Sequence, residues 1–102
     1  MNLLNQTDLF EKWLRTVKDL RAKARIAVRL NAARLGNFGD CRSVGDGVWE
    51  MRVHYGPGYR IYYAQQGIEI YLLFAGGDKS SQTRDIAKAK KMWRELGECK
   101  DD

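Results

Sequence analysis

The chain has 102 residues, a mass of 11.8 kDa, 44% hydrophobic and 30% charged residues, and a net charge of +5. This composition is typical of a globular protein, excludes a disordered one, and suffices for a single domain over residues 1–102. The longest apolar run, residues 68–75, is far shorter than the roughly 20 residues of a membrane span, and we expect neither a secretory signal nor membrane binding. Two widely spaced cysteines, Cys41 and Cys99, predict no disulfide framework and indicate a cytoplasmic location.

The first third of the sequence predicts two helices after a short strand at residues 2–6. Asp8 and Glu11 are spaced like an N-cap residue and its partner at the start of a helix. Apolar residues then recur at helical spacing over residues 9–17 and again over residues 26–33. The short connection between the two helices predicts an antiparallel helical hairpin with an apolar inner face.

The outer face of this hairpin is strongly basic. Between Lys12 and Arg34 the sequence has eight basic residues and one acidic residue, Asp19. Such a stripe attracts nucleic acid, acidic proteins or anionic membranes, although a solvated helix face has the same pattern. We favour a polyanionic partner over a membrane, because the apolar residues are needed for a core. The candidate RNA-binding residues are Lys12, Arg15, Lys18, Arg21, Lys23, Arg25 and Arg29.

After residue 36 the pattern changes to that of strands. Residues 48–55 alternate in polarity, residues 59–64 are rich in β-favouring types, and residues 68–75 are apolar on nearly both faces. Glycine-rich turns join them into a meander of three or four antiparallel strands. Ser80 or Ser81 is the expected cap of a final helix that ends near Gly97. The order ααβββ(β)α predicts an α+β domain with its helices on one face of the sheet.

Polar residues on the predicted strands form the candidate site. Arg52 and His54 are two positions apart and therefore point the same way. Arg60 lies across the turn, and Lys79 follows the third strand, so all four are expected in one cationic pocket. Glu50 is placed to pair with either arginine and hold it.

This set of residues suits cleavage of an RNA phosphodiester. An imidazole transfers protons near neutral pH, and guanidinium groups match phosphate oxygens and stabilise the phosphorane. Tyrosines such as Tyr55 and Tyr59 are suited to stacking on bases. One histidine and no carboxylate cluster suggest no metal. The plainer alternative is a structural or exposed His54, with both arginines in surface ion pairs. On the chemistry alone, a polyanion-binding module is favoured over a nuclease.

Two segments of the sequence carry a family resemblance. They read WEMRVHYGPGYRIYY at residues 49–63 and LLFAGGDKSSQ at residues 72–82. Together they resemble the addiction-module killer proteins, the HigB-like branch of the RelE/ParE toxin superfamily. The resemblance is collinear over most of the chain and includes residues 10–14, 35–40 and 85–89.

The resemblance implies a fold and a function. The fold is α+β, with an N-terminal α-helical hairpin packed on a twisted antiparallel β-sheet of 3–5 strands, and a C-terminal helix. The function is that of a type II toxin, a metal-independent, ribosome-dependent mRNA endonuclease that needs no cofactor. Its partners are the ribosome, mRNA and a cognate antitoxin, which is expected to be a HigA-like helix-turn-helix protein. The toxin is expected to contact operator DNA only through this antitoxin.

The resemblance also assigns site residues and leaves alternatives. It implies a catalytic set of four residues and a substrate-binding set of three. The alternatives are a ParE-like toxin that inhibits DNA gyrase without catalysis, and an inactive module that binds nucleic acid or protein. The catalytic set is His54, Arg52, Arg60 and Lys79, and the substrate-binding set is Tyr55, Gln82 and Tyr59.

Overall fold

The chain begins with a strand and continues into two helices. The computed structural model describes the backbone of residues 1–100 and the side chains of residues 1–97. The first elements are β1 (Leu3–Gln6), α1 (Asp8–Thr16) and α2 (Leu20–Arg34). The expectation that Asp8 caps α1 is wrong, because the extended residue Thr7 does so, its hydroxyl accepting from Phe10 N at 3.1 Å. Asp19 caps α2 and accepts from Arg21 N at 2.9 Å.

Four strands and a long helix form the rest of the chain. They are β2 (Cys41–Gly45), β3 (Val48–Val53), β4 (Tyr59–Gly67), β5 (Ile70–Gly77) and α3 (Gln82–Lys100). A 3₁₀ turn, Lys79–Ser81, leads into α3, and its cap is Asp78 rather than either predicted serine. Gly97 lies within α3 and does not end it. The side chain of Cys99 lies outside the described residues.

The five strands form one mixed sheet in the order β1-β5-β4-β3-β2. Strands β2 to β5 are an antiparallel meander, and β5 is interior, as its apolar sequence predicts. A wholly antiparallel sheet was the wrong expectation, because β1 pairs with β5 in parallel, with Leu3 opposite Ile70. Both helices and three strands separate β1 from β5, so no tight turn imposes an antiparallel orientation.

The N-terminal helical hairpin is also a wrong expectation. Strand β1 precedes the helices, α1 packs mainly on β5, and α2 packs on β3. A groove of about 480 Å³ lies between the two helices, with Leu14, Ile26 and Leu30 among its lining residues. Each helix therefore packs chiefly on the sheet, because its apolar side chains bury more surface there than against the other helix.

Helices cover both faces of the sheet, so the expectation of one covered face is wrong. On the face of α1 and α2, Phe10 and Ile26 pack with Met51 and Ile61 in the larger core. On the other face, Ala89 of α3 packs in a second core. Its buried residues are Val48, Tyr62, Ala64, Leu72, Phe74, Ala75 and Ala89. Alternating side chains of β3 and β4 supply both cores. Within the described residues, no helix has the length and apolar character required to cross a bilayer.

Candidate active site

Strands β3 and β4 place the two candidate arginines side by side. Arg52 lies directly opposite Arg60, and Glu50 lies opposite Tyr62 in the same antiparallel register. Directly opposed residues of neighbouring strands share a face, and positions two apart share it as well. Arg52, Arg60 and Glu50 therefore belong to the face that α3 covers. His54 follows the end of β3 and is exposed.

A fully buried carboxylate organises the Arg60 side of this face. Glu50 accepts hydrogen bonds from Arg42 Nε at 2.9 Å, Tyr62 Oη at 3.0 Å and Gln82 Nε2 at 2.9 Å, while Arg60 Nε lies 3.7 Å from its Oε2. Burial on its own would raise the pKa of Glu50. The hydrogen bonds from Gln82, Arg42 and Tyr62 outweigh that effect and hold the pKa below its ordinary value. Glu50 is therefore an ionised group that orients Arg60 and Gln82.

The turn between β3 and β4 brings Arg60 close to Lys79. Arg60 Nη1 donates to Gly58 O at 2.8 Å, and Lys79 N donates to Pro57 O at 3.4 Å. A Cβ on Gly58 would lie 3.3 Å from Arg60 Nη1 and 3.8 Å from Lys79 Cβ. Arg60 and the exposed Lys79 thus flank the same turn residue.

A second carboxylate, Asp40, joins Arg52 to His54. Asp40 Oδ1 accepts from Arg52 Nη2 at 2.8 Å, and its Oδ2 forms a short hydrogen bond with His54 Nε2. These bonds, first that of His54 and then that of Arg52, hold the pKa of Asp40 below its ordinary value. Sequence reasoning missed this residue, because only the folded chain brings the loop before β2 to the end of β3.

Arg29 ties that loop to α2 and β3. Its Nη2 donates to Phe38 O at 2.9 Å and to Asp40 O at 3.2 Å, and its Nη1 donates to Arg52 O. All three acceptors are backbone carbonyl groups, so the guanidinium is occupied inside the protein. Arg29 differs in this respect from the other candidate RNA-binding residues, which are exposed, namely Lys12, Arg15, Lys18, Arg21, Lys23 and Arg25.

The two candidate tyrosines lie on the sheet face that α1 and α2 cover, opposite the face of Arg52 and Arg60. Tyr59 packs edge-on against Trp13 with ring centroids 6.2 Å apart. Tyr55 donates to Asp19 Oδ2 at 3.1 Å, and Arg25 lies over its ring at 4.9 Å from the centroid. Neither ring is therefore placed beside Arg52 and Arg60, which is a consequence of strand alternation.

A basic groove leads to the imidazole. It has a volume of about 680 Å³ and runs between α2 and the end of β3. Arg21, Arg25 and Arg29 line it together with Val28 and His54. Cations along such a groove attract a phosphate backbone. Because His54 lines the groove, the exposed face of α2 reaches the candidate site.

The candidate residues thus fall into two neighbouring groups. Arg52 and His54 share Asp40, whereas Arg60 and Gln82 share Glu50 and Lys79 stands beside them. Among the described side chains, both arginine Nε atoms are buried without a hydrogen-bond partner, and no three His, Cys, Asp or Glu residues are placed to hold a metal ion. The site offers a proton-transfer group and several cations within one end of the sheet.

Comparison with known proteins identifies a relative of nearly the same length. No protein-family model matches the chain. A protein of Haemophilus influenzae (strain Rd), named "Uncharacterized protein", is 46% identical to this chain over 94 residues. The matched region covers 92% of this chain and 95% of that protein. The similarity therefore extends over both the helices and the sheet.

Proposed function

We propose that this chain, which belongs to the same family as the Haemophilus influenzae protein, is the toxin of a type II toxin–antitoxin module. It has a RelE/ParE-like fold of the HigB-like branch and acts as a metal-independent, ribosome-dependent mRNA endonuclease in the cytoplasm. Its cognate antitoxin is a HigA-like helix-turn-helix protein. The toxin contacts operator DNA only through this antitoxin.

One observation carries the proposal. Arg52 and Arg60 are directly opposed on neighbouring strands, and the exposed His54 and Lys79 stand at the same end of the sheet. Cleavage of RNA by its own 2′-hydroxyl requires a proton acceptor and cations that stabilise the charged phosphorane. Basic side chains and one imidazole at one sheet end supply both requirements.

Each residue of the site has a distinct role in this proposal. His54 transfers the proton, and Arg52 and Arg60 bind the scissile phosphate through their guanidinium groups. Lys79 stabilises the developing charge, and Gln82 contributes to substrate binding. The exposed cations of α1 and α2 bind ribosomal RNA, since docking on a ribosome needs an extended basic surface.

Induction of the gene without its antitoxin tests the proposal. We expect growth arrest and new mRNA 5′ ends, mapped by primer extension, that disappear when translation is blocked. His54→Ala and Arg60→Ala should each relieve the arrest and reduce cleavage by about 10²-fold or more. A positioned proton-transfer group contributes about 10²–10⁴-fold, and loss of one group that stabilises transition-state charge costs about 10²–10³-fold.

The matched control removes a cation elsewhere. Lys91 is exposed on α3, and Lys91→Ala should remain fully toxic. Circular dichroism of all three purified variants verifies that they are folded. A folded double variant of His54 and Arg60 that still cleaves mRNA at the wild-type rate would exclude the mechanism.

A specific observation also favours a second candidate function. The two guanidinium groups are engaged by different carboxylates, Arg52 by Asp40 and Arg60 by Glu50. Arginines that are already paired with carboxylates are less available to a scissile phosphate. A ParE-like inhibitor of DNA gyrase, or an inactive nucleic-acid-binding or protein-binding module, requires no free guanidinium at a reacting phosphate. Inhibition of supercoiling by the purified chain would support the gyrase-directed toxin, and unaffected growth on induction would support the inactive module.

A further inference from the structure

We propose that Asp40 is a positioning residue that presents Nδ1 of His54, and not Nε2, as the proton-accepting atom. The proposal rests on the proposed endonuclease function and assigns a residue to it that sequence patterns did not indicate. It follows from the hydrogen bond between Asp40 Oδ2 and His54 Nε2 and from the way the Asp40 loop is anchored.

The donor and acceptor chemistry of the pair determines the tautomer. An ionised carboxylate only accepts hydrogen bonds, and a neutral imidazole has one N–H and one bare nitrogen. Asp40 is held in its ionised form by its two bonds, since its pKa lies below its ordinary value. Nε2 must therefore carry the hydrogen that Asp40 accepts, which leaves the lone pair on Nδ1. The imidazole itself is 73% exposed, so Nδ1 is open to an incoming strand.

Anchoring of the loop makes Asp40 a rigid partner. Arg29 donates to the carbonyl groups of Phe38, Asp40 and Arg52, and Arg52 N donates to Asp40 O at 2.9 Å. The second carboxylate oxygen of Asp40 is occupied by Arg52 Nη2 at 2.8 Å. Bonds to α2, to β3 and to an arginine side chain therefore fix both oxygens before substrate arrives. Fixed geometry of this kind favours a single ring orientation.

The proposed chemical step is attack of the RNA 2′-hydroxyl on the adjacent phosphorus. Nδ1 takes the proton of the 2′-hydroxyl, the 2′-oxygen forms a bond to phosphorus, and the bond from phosphorus to the 5′-oxygen breaks. The products are a 2′,3′-cyclic phosphate and a 5′-hydroxyl, whose proton comes from water. The imidazolium returns its proton to the hydroxide that remains. Asp40 stabilises the imidazolium during this interval and stays ionised throughout.

The single histidine of the chain makes a direct measurement straightforward. Nitrogen-15 NMR of the uniformly labelled wild-type protein, at a pH where the imidazole is neutral, reports which ring nitrogen carries hydrogen. We expect one tautomer with hydrogen on Nε2. Hydrogen on Nδ1, or a mixture of both forms, would overturn the proposal without any variant having to fold.

Asp40→Asn tests the role of the carboxylate. Its amide retains the side-chain volume and can donate as well as accept, so we expect a mixture of tautomers and cleavage reduced by about tenfold or more. The control is Asp46→Asn on the β2–β3 turn, where the acid lies 3.9 Å from Lys90, and this variant should keep both the tautomer and the activity of the wild type. A folded Asp40→Asn protein with an unchanged tautomer would contradict the proposal.

The two hypotheses fail in different ways. Wild-type protein that has the Nε2–H tautomer but cleaves no mRNA refutes the proposed function, and with it the catalytic role of Nδ1. Protein that cleaves mRNA through His54 with hydrogen on Nδ1 refutes only the role of Asp40. The tautomer measurement uses free protein, so it does not depend on the ribosome or the antitoxin.

Discussion

At the scale of single residues, the most unusual feature is a fully buried carboxylate with four polar partners. Glu50 is 0% exposed, and charged groups are almost never buried unless they are paired. Its partners come from β2, β4 and α3, so this one side chain connects three elements. Removing the carboxylate charge leaves Tyr62 and Arg60, which are largely buried, without compensation.

We predict that Glu50→Gln lowers the free energy of unfolding by about 3 kcal/mol at neutral pH, because it breaks a buried ion pair. Urea denaturation measures the change. The control is Glu69→Gln, since Glu69 is exposed and lies 3.6 Å from the N-terminal amine. An exposed pair of this kind contributes less than about 1 kcal/mol. Equal effects of both substitutions would show that burial of Glu50 is not decisive.

Glu50 also predicts a pH dependence of stability. Its folded-state pKa is below the ordinary value of 4.5, so the unfolded chain binds the proton more readily. The stabilisation is therefore fully present above 4.5 and is lost as pH falls through the lower folded-state pKa. Unfolding free energies measured over acidic pH should decline less steeply in Glu50→Gln than in wild type. A parallel decline would assign the acid sensitivity to other carboxylates.

At the scale of elements, α3 approaches β5 so closely that only glycine fits at the contact. A Cβ on Gly77 would lie 1.9 Å from Asp85 Oδ2 and 2.7 Å from Ser81 Oγ. Gly77 is opposite Arg60 in the sheet, so the same contact determines where the start of α3 lies relative to the candidate site. Gln82, the first residue of α3, reaches Glu50 from there.

We predict that Gly77→Ala destabilises the protein by about 1–3 kcal/mol, because overpacking forces the start of α3 away from β5. Gly97→Ala is the control. Gly97 lies within α3 with nothing within 4 Å of its Cβ position, so alanine should stabilise by about 0.5–1 kcal/mol. Thermal unfolding of both variants measures the difference. Equal and small effects would mean that α3 shifts at no cost.

At the scale of the whole molecule, positive charge and the candidate site lie at one continuous surface. The groove along α2 ends at His54, and its exposed cations face solvent, whereas Arg29 is bonded to backbone carbonyl groups. Phosphate contacts release counterions, so each one adds to the salt dependence of binding. Cations that are already hydrogen-bonded inside the protein contribute less to this salt dependence.

We predict that replacing Arg21 and Arg25, which line this groove, by glutamine reduces the slope of log affinity against log salt by about 0.7 for each charge removed. The ligand is a 2′-O-methyl oligonucleotide, which lacks the attacking hydroxyl, and fluorescence anisotropy measures binding. The control pair, Lys88→Gln with Lys91→Gln, removes two exposed cations from α3 and should change the slope least. Equal slopes for both pairs would contradict a specific basic track.

Arg29→Gln separates a structural cation from a binding cation. We predict a loss of about 1.5–3 kcal/mol of stability, because charge-assisted hydrogen bonds to Phe38 O and Asp40 O disappear. The salt slope of oligonucleotide binding should remain that of the wild type. Urea denaturation and the same anisotropy assay measure the two quantities. A reduced slope with unchanged stability would place Arg29 among the binding residues.

Local sequence patterns determined most elements of this protein. Helical spacing located α1 and α2, alternation located β3 and sorted Met51 and Glu50 onto opposite faces, and the apolar run at β5 indicated an interior strand. These properties depend on neighbours a few residues apart, which the sequence displays directly. The α+β class followed from their order.

Only the tertiary structure decided how distant segments meet. Three contacts join residues that are separated by long stretches of chain. They are the parallel pairing of β1 with β5, the packing of α3 on the second face, and the hydrogen bond between Asp40 and His54. Such contacts depend on how the whole core buries its apolar surface and pairs its polar groups. A pattern of short period therefore contains no information about them.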